Sequence, residues 1–391
     1  MMQPLDMIPA GPEHEQFLFD LRNHPSTRCQ MFDDREVKLS DHQQWFEKSL
    51  EKDSRDIFIL QKGAEPIGQI RFDSEDDQAW IDFAVTDRER SKGYGTLLLL
   101  MGCRTWLAAH PGISAIHGRV KKDNTASRQA FLKAGFRFEN ETDTYIELTF
   151  YPEHPNLVVA TVKSWNISRF YEIKASNTAY NWILMTDPEQ LTPEVLDMAA
   201  PEFVFFPHWS SLIPESVFDR FKCVVFHMTD LPFGRGGSPM QNLISRGIYK
   251  TKISAITVVR EVDGGDIYCK KDFDLSRGSA EELFDKASAI IYSQMIPEIL
   301  SKRPVPVKQE GEPVCFGRRT PEQGNLAPLD SLDQVYDYIR MLDGEGYPPA
   351  FIEVGDFRLE FSQAAMEADK VTAVCRIIKI NQTDPKNGSD V

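Results

Sequence analysis

No apolar run in this 391-residue chain approaches the ~18 residues that a membrane-spanning helix needs. The first residues, Met1-Met2-Gln3-Pro4-Leu5-Asp6, hold neither a basic segment nor an apolar core of the kind a secretory leader carries. Cationic side chains are in deficit: 44 Lys and Arg stand against 59 Asp and Glu, a net charge of -15. That balance argues against a nucleic-acid partner, because phosphate backbones are bound through excess Lys and Arg. It leaves an anionic small molecule open, since a few arginines or one helix N-terminus can hold one. The six cysteines, Cys29, Cys103, Cys223, Cys269, Cys315 and Cys375, are scattered without short metal-ligand spacing. Neither a disulfide framework nor a metal site is expected, and reduced, mostly buried thiols in a cytoplasmic protein are.

What is present is an ordinary globular composition, 41% hydrophobic and 26% charged, with length for two or three domains. Pro152 and Pro155 precede a new apolar strand at Asn156, and Lys302-Arg303-Pro304-Val305-Pro306-Val307 reads as a linker. The expected division is therefore 1–155, 156–300 and 301–391. The run 381–391 is polar and is expected to be disordered. Its Asn387-Gly388-Ser389 is a glycosylation sequon in form only if the chain stays, as expected, in the cytoplasm.

The chemistry concentrates in two stretches. Cys223-Val224-Val225-Phe226 and Ile256-Thr257-Val258-Val259 read as buried strands, one running into His227 and the other toward Asp263-Gly264-Gly265. Between them, Leu231-Pro232 breaks regular structure and Gly234, Gly236 and Gly237 let the backbone fold closely. A His and an Asp within reach of one another can take protons from an attacking amine and hold the imidazole tautomer. In the first third, the strand Trp80-Ile81-Asp82-Phe83-Ala84-Val85 leads through Arg90-Ser91-Lys92-Gly93-Tyr94-Gly95 into a helix starting near Thr96. Free N–H groups and a positive dipole end point from such a loop at an anion. A further strand, Ile113 to Val120, is followed by Asp123-Asn124 and a helix through Phe131. Ser40 is an expected N-cap for a helix over 41–51, and Ser238 and Ser279 for helices after Gly237 and Gly278. His24, His42 and His117 have no visible partner and read as packing or surface histidines.

The residues around His227 resemble the N-formyltransferase family, with His227, Thr229-Asp230-Leu231-Pro232, Arg235-Gly236 and Asp263-Gly264-Gly265 in register with its motifs. The family's Asn two residues before the His is replaced by Val225, which leaves its oxyanion donor to another group, with His208 and Ser210 as candidates. The first third resembles the GNAT acetyltransferases in its Arg90 to Gly95 loop and its Asn124 strand end. Leu21-Arg22-Asn23-His24-Pro25 and Ser40 to Phe46 look like the acceptor half of GNAT enzymes acting on a UDP-linked 4-amino-sugar of the pseudaminic acid pathway. Residues after 301, including Arg318-Arg319 and Asp337 to Asp343, look like the C-terminal module of sugar N-formyltransferases.

These resemblances imply an α/β protein: a GNAT fold with a mixed sheet flanked by helices, then a Rossmann-like core with a parallel sheet, then a small α+β module. They imply N10-formyltetrahydrofolate and acetyl-CoA as cofactors and a nucleotide-linked amino-sugar as substrate, with a homodimer compatible. His227 and Asp263 are the implied catalytic residues; Arg90, Lys92, Gly93, Gly95, Asn124, Gly236 and Gly264 are the implied cofactor contacts. Phe131 stands where many GNAT enzymes carry a proton-donating Tyr, so either another group or water protonates the thiolate or the domain only binds. A methionyl-tRNA formyltransferase is the alternative for the core.

Overall fold

Residues 4–380 are described by the structure, a computed structural model, and the run 381–391 with its expected disorder and sequon lies outside them. The chain divides into two compact units, Met1–Val162 with Phe170–Cys223, and Lys163–Arg169 with Val224–Val391.

The first unit holds a seven-stranded sheet. Its strands are β1 (Leu5–Pro9), β2 (Arg55–Lys62), β3 (Glu65–Glu75), β4 (Gln78–Val85), β5 (Ala115–Lys121), β6 (Arg137–Glu141) and β7 (Tyr145–Phe150), in the order β1-β2-β3-β4-β5-β7-β6. Apolar residues at a period of two, such as Ala79, Ile81 and Val85 on β4, put one face of each strand into the core. Only β4 and β5 pair in parallel within this sheet. The helices α1 (Glu15–Asn23), α2 (Pro25–Arg28), α3 (Leu39–Leu50), α4 (Tyr94–Ala109) and α5 (Thr125–Lys133) belong to the same unit. α4 is apolar nearly all round, with Leu97 to Cys103 and Trp106 buried, as a helix enclosed by the fold must be. Trp106 stacks on Phe72 at 4.6 Å and donates its indole N–H to Asp56 Oδ2 at 2.7 Å, which satisfies the one polar group of a buried ring. α3 begins two residues earlier than expected: Lys38 is its N-cap residue, without a side-chain cap, and Ser40 lies inside the first turn.

The same unit carries β8 (Asn156–Ala160), β9 (Asn181–Met185) and β10 (Pro201–Phe206), parallel in the order β10-β8-β9. All five residues of β9 are buried, the continuous apolar pattern of a parallel strand covered on both faces.

In the second unit β11 (Cys223–His227) pairs with β13 (Lys250–Thr257), and β13 pairs with β14 (Ile267–Asp274), both antiparallel. Two short strands, β12 (Phe233–Gly236) and β15 (Val314–Phe316), pair in parallel. The C-terminal sheet β16-β17-β18 (Ala350–Val354, Phe357–Met366 and Val371–Lys379) is antiparallel. Two local expectations change here, at Val259 and at Ser238. The strand expected through Val259 ends at Thr257, and Val259 is exposed. The β16-β17 hairpin turns at Gly355, whose φ of +58° suits glycine. Ser238 precedes the helix Pro239–Ile244 in a left-handed conformation, and its hydroxyl accepts from the Arg319 N–H at 3.1 Å and caps nothing in its own helix. Ser279, in contrast, makes the full capping box with Glu282. Among the described residues no helix is long and apolar enough to cross a membrane.

Candidate functional site

In the first unit the site follows from a failure of pairing. β4 and β5 pair from Gln78–Ala115 to Ile81–Gly118 and no further. Beyond that point residues 82–85 stay on β3 and residues 119–121 stay on β7, so the two strands part. A cavity of about 1060 Å³ opens there, with Asp82, Phe83, Ala84 and Val85 lining it beside Arg119 and Val120. The β4 edge left without a strand neighbour offers main-chain donors and acceptors to a ligand.

Gly93 caps α4 at φ +83°, and Gly93, Gly95 and Arg90 line the same cavity. The 16-residue α4 thus aims its N-terminal N–H groups at the cavity loop. The guanidinium of Arg90 is engaged by the chain itself: Nε donates to Val85 O, Nη1 to Ser26 O and Oγ, and Nη2 to Thr27 Oγ1. It ties the loop to α2. Lys92 is exposed, 3.3 Å from Glu89 Oε2, and is not among the cavity-lining residues. Asn124 is buried and caps α5, its Oδ1 accepting from Ser127 N at 3.1 Å. Phe131 lines the cavity with its ring buried, edge-on to Phe83 at 5.2 Å and to Phe136 at 4.8 Å. A Cβ on Gly118 would come within 2.3 Å of that ring, so β5 needs glycine there. The donor set, a helix N-terminus beside an open strand edge, fits a pyrophosphate joined to an amide-bearing arm, which is the chemistry of a coenzyme A thioester. Sequence reading missed Asp82, whose Oδ1 accepts from Gln69 Nε2 at 3.0 Å on the cavity wall. Its position in the apolar-polar alternation of β4 was the available signal.

In the second unit His227 and Asp263 meet, His227 Nδ1 lying 3.4 Å from Asp263 Oδ2. They do not lie at neighbouring strand ends. β13 is antiparallel to β11, with Thr257 opposite Val224 and Ser254 opposite His227, so the segment 258–266 must fold back to deliver the carboxylate. His227 is buried, and its Nε2 donates to Gly234 O at 2.7 Å, because a carbonyl can only accept. Nδ1 is thereby the ring nitrogen turned to the carboxylate. Asp263 sits at φ +53° and accepts the Gly236 N–H at 2.8 Å on the same Oδ2. Val225, two residues before His227, shares its face of β11 and brings no polar group to it.

The glycines have specific duties. A Cβ on Gly236 would meet Phe316 O at 2.4 Å, and one on Gly265 would meet Thr257 O at 1.8 Å. At Gly264 the atoms nearest a Cβ would be those of the Glu261 side chain. Arg235 is buried, its Nη1 2.5 Å from Glu261 Oε1 and its Nε and Nη2 on Gln309 Oε1. Gln309 in turn donates to Asp263 O at 2.7 Å and Gly265 O at 2.8 Å. Gln309, 46 residues from Asp263, is therefore the staple of the segment, and nothing in its local sequence marks it. Asp230, clamped by Lys270 and Lys252, steadies the Leu231-Pro232 turn. Burial raises its pKa, and the hydrogen bonds from the two lysines outweigh that and hold the carboxyl below its ordinary range.

Residues 5–137 match the family "Acetyltransferase (GNAT) domain", and residues 321–378 match "Methionyl-tRNA formyltransferase, C-terminal domain". The methionyl-tRNA formyltransferase of Bacillus cytotoxicus is 30% identical over 152 residues, which are 37% of this chain and 48% of that protein. That of Bacillus thuringiensis is 28% identical over 150 residues, with the same shares. The chain thus spans about half the length of the curated relatives it matches. Among solved structures, a methionyl-tRNA formyltransferase from Clostridium thermocellum is 56% identical with a TM-score of 0.56, and the match covers 57% of this chain and 99% of that one. With the GNAT match ahead of it, the chain belongs to the methionyl-tRNA-formyltransferase-like N-formyltransferases, enzymes that use N10-formyltetrahydrofolate, and carries an acetyl-CoA-type GNAT acetyltransferase domain in its N-terminal third.

Proposed function

We propose that this protein formylates the 4-amine of a UDP-linked 4-amino-4,6-dideoxy-sugar, and that its GNAT domain acetylates a similar sugar in a pathway of the pseudaminic acid type. Residues 1–155 form the acetyl-transfer domain in this reading, 156–300 the formyl-transfer core and 301–391 the small terminal module. The observation that carries the formyl half is the 3.4 Å approach of His227 Nδ1 to Asp263 Oδ2. N10-formyltetrahydrofolate supplies the formyl carbon when bound. His227 accepts the amine proton or steadies the oxygen that becomes negative, while Asp263, fixed by the Gly236 N–H, holds the ring and helps shuttle protons. Gly236 and Gly264 belong to the folate side of this site. In the acetyl half, the N–H groups around Gly93 and Gly95, with Lys92 beside them, receive the coenzyme pyrophosphate. Arg90 and Asn124 act one step back, by holding the loop and the α5 start in place.

Two features support a sugar acceptor. The net charge of -15 is a poor surface for RNA, and the segments around Leu21 and Trp45 resemble amino-sugar acetyltransferases. A second reading, formylation of a charged tRNA, is favoured by the 56% identity to a protein titled methionyl-tRNA formyltransferase. Mass spectrometry decides between them. The enzyme is incubated with a UDP-4-amino-sugar and formyl-folate, acetyl-CoA or both, and separately with methionyl-tRNA and formyl-folate. A formyl mass gain on the sugar alone is expected. Formyl-methionine with an unmodified sugar would overturn the sugar reading.

A further inference from the structure

The acetyl-transfer cavity has a histidine that sequence reading set aside as packing or surface. His42, in the first turns of α3, is only 3% exposed, yet it lines the cavity. Its ring lies among aromatics, 5.4 Å from Phe19, 5.4 Å from Trp45 and stacked on Phe46 at 6.2 Å. Among the described residues, Nε2 of His42 is buried without a hydrogen-bond partner. A buried imidazole nitrogen left unmade costs free energy unless a ligand or water completes it. Trp45, one helical turn along, lines the same cavity, as does Arg22, whose Nη2 donates to Asp33 O at 2.8 Å.

The geometry points to His42 as the base that receives the acceptor amine's proton in acetyl transfer. The inference rests on the reading that the GNAT domain turns over, and it names the proton path of that site. An alkyl ammonium cannot attack. Nε2 takes one proton from it, the freed lone pair forms the N–C bond to the acetyl carbon, and the C–S bond breaks with its electron pair leaving on sulfur. The second proton passes from nitrogen to the thiolate through water, since Phe131 has none to give, and the first is released from His42 to solvent. The charged groups around the ring are Glu15 and Arg22 on α1, and Arg55 and Arg71, which lie 5.8 and 5.9 Å from the Trp45 ring and are both paired to Asp73. Burial, the largest influence, keeps the His42 imidazole below its ordinary value against the opposing pull of the Glu15 backbone carbonyl and carboxylate.

The test compares wild type with His42→Gln and His42→Phe in the full chain. It uses acetyl-CoA and a UDP-4-amino-4,6-dideoxy-sugar, with calorimetric acetyl-CoA binding and formylation as checks on folding. Expected are a fall in acetylation kcat of about 100-fold or more, loss of the acid limb of its pH profile, and unchanged acetyl-CoA affinity. The His42 imidazole resonance in a histidine-labelled NMR spectrum should also shift when the sugar is added. Wild-type acetylation with both variants within threefold and the acid limb intact overturns the role of His42 alone. A wild type that binds acetyl-CoA and acetylates nothing overturns the turnover reading and this proposal together.

Discussion

His227 and Asp263 share no strand end, yet one carboxylate oxygen of Asp263 faces His227 Nδ1 at 3.4 Å and takes the Gly236 N–H at 2.8 Å. The Asp263 side chain is therefore held by β12 while it orients a ring on β11. Asp263→Asn keeps an oxygen for Gly236 and removes the charge. Formylation kcat should fall about 100-fold or more, with KM for the sugar and the melting temperature nearly unchanged. Steady-state kinetics check this, and near wild-type turnover would remove Asp263 from the mechanism.

Gln309 holds the segment that carries Asp263. Gln309→Leu strips two donors from backbone carbonyls and the acceptor from a buried Arg235. Each buried polar group left unmade costs about 1–3 kcal/mol. The expected outcome is a lower melting temperature, faster proteolysis within 258–266, and a loss of formylation with acetyl-CoA binding retained. Resistance to protease equal to wild type would contradict the staple.

Gly118 and Phe131 are coupled through a contact that leaves no room for a methyl group. Gly118→Ala should destabilise by about 1–3 kcal/mol through overpacking. Combined with Phe131→Leu, the loss should be smaller than the sum of the two single losses by at least about 0.5 kcal/mol. Denaturant unfolding of the four proteins measures the coupling, and strict additivity would refute it.

The cysteines divide by burial. Cys29, Cys315 and Cys375 are exposed, whereas desolvation pushes the Cys223 thiol up to about 12 and raises Cys103 as well. Native protein at pH 8 should be alkylated at the three exposed thiols and spared at Cys103 and Cys223, as peptide mass spectrometry will show. A raised thiol contributes stability that is whole below its unfolded value of 9.0 and drains away as pH climbs toward 12, so alkaline unfolding should begin in that window.

Local pattern carried much of this protein. The β4-loop-α4 and β5-α5 units, the parallel strands β8, β9 and β10, and the Ser279 capping box all follow from apolar spacing and turn residues over fewer than about 20 positions. Motif register also grouped His227 with Asp263, and the two meet at 3.4 Å. What pattern misjudged were competitions with partners distant in sequence. Ser238 spends its hydroxyl on the Arg319 backbone, and the Arg90 guanidinium is used within its own unit. Propensity describes a residue's options and not which partner arrives first.

By itself the amino-acid order determined which segments become strands and helices and which side-chain chemistries recur, because those depend on neighbours one to four residues away. The tertiary structure alone decided that β11 and β13 run antiparallel and that Gln309 staples Asp263 from 46 residues off. It also decided that His42 lines a cavity with one nitrogen unsatisfied. Each of these depends on which distant backbone or ring fills a given volume, and close packing settles that only when the whole chain is in place.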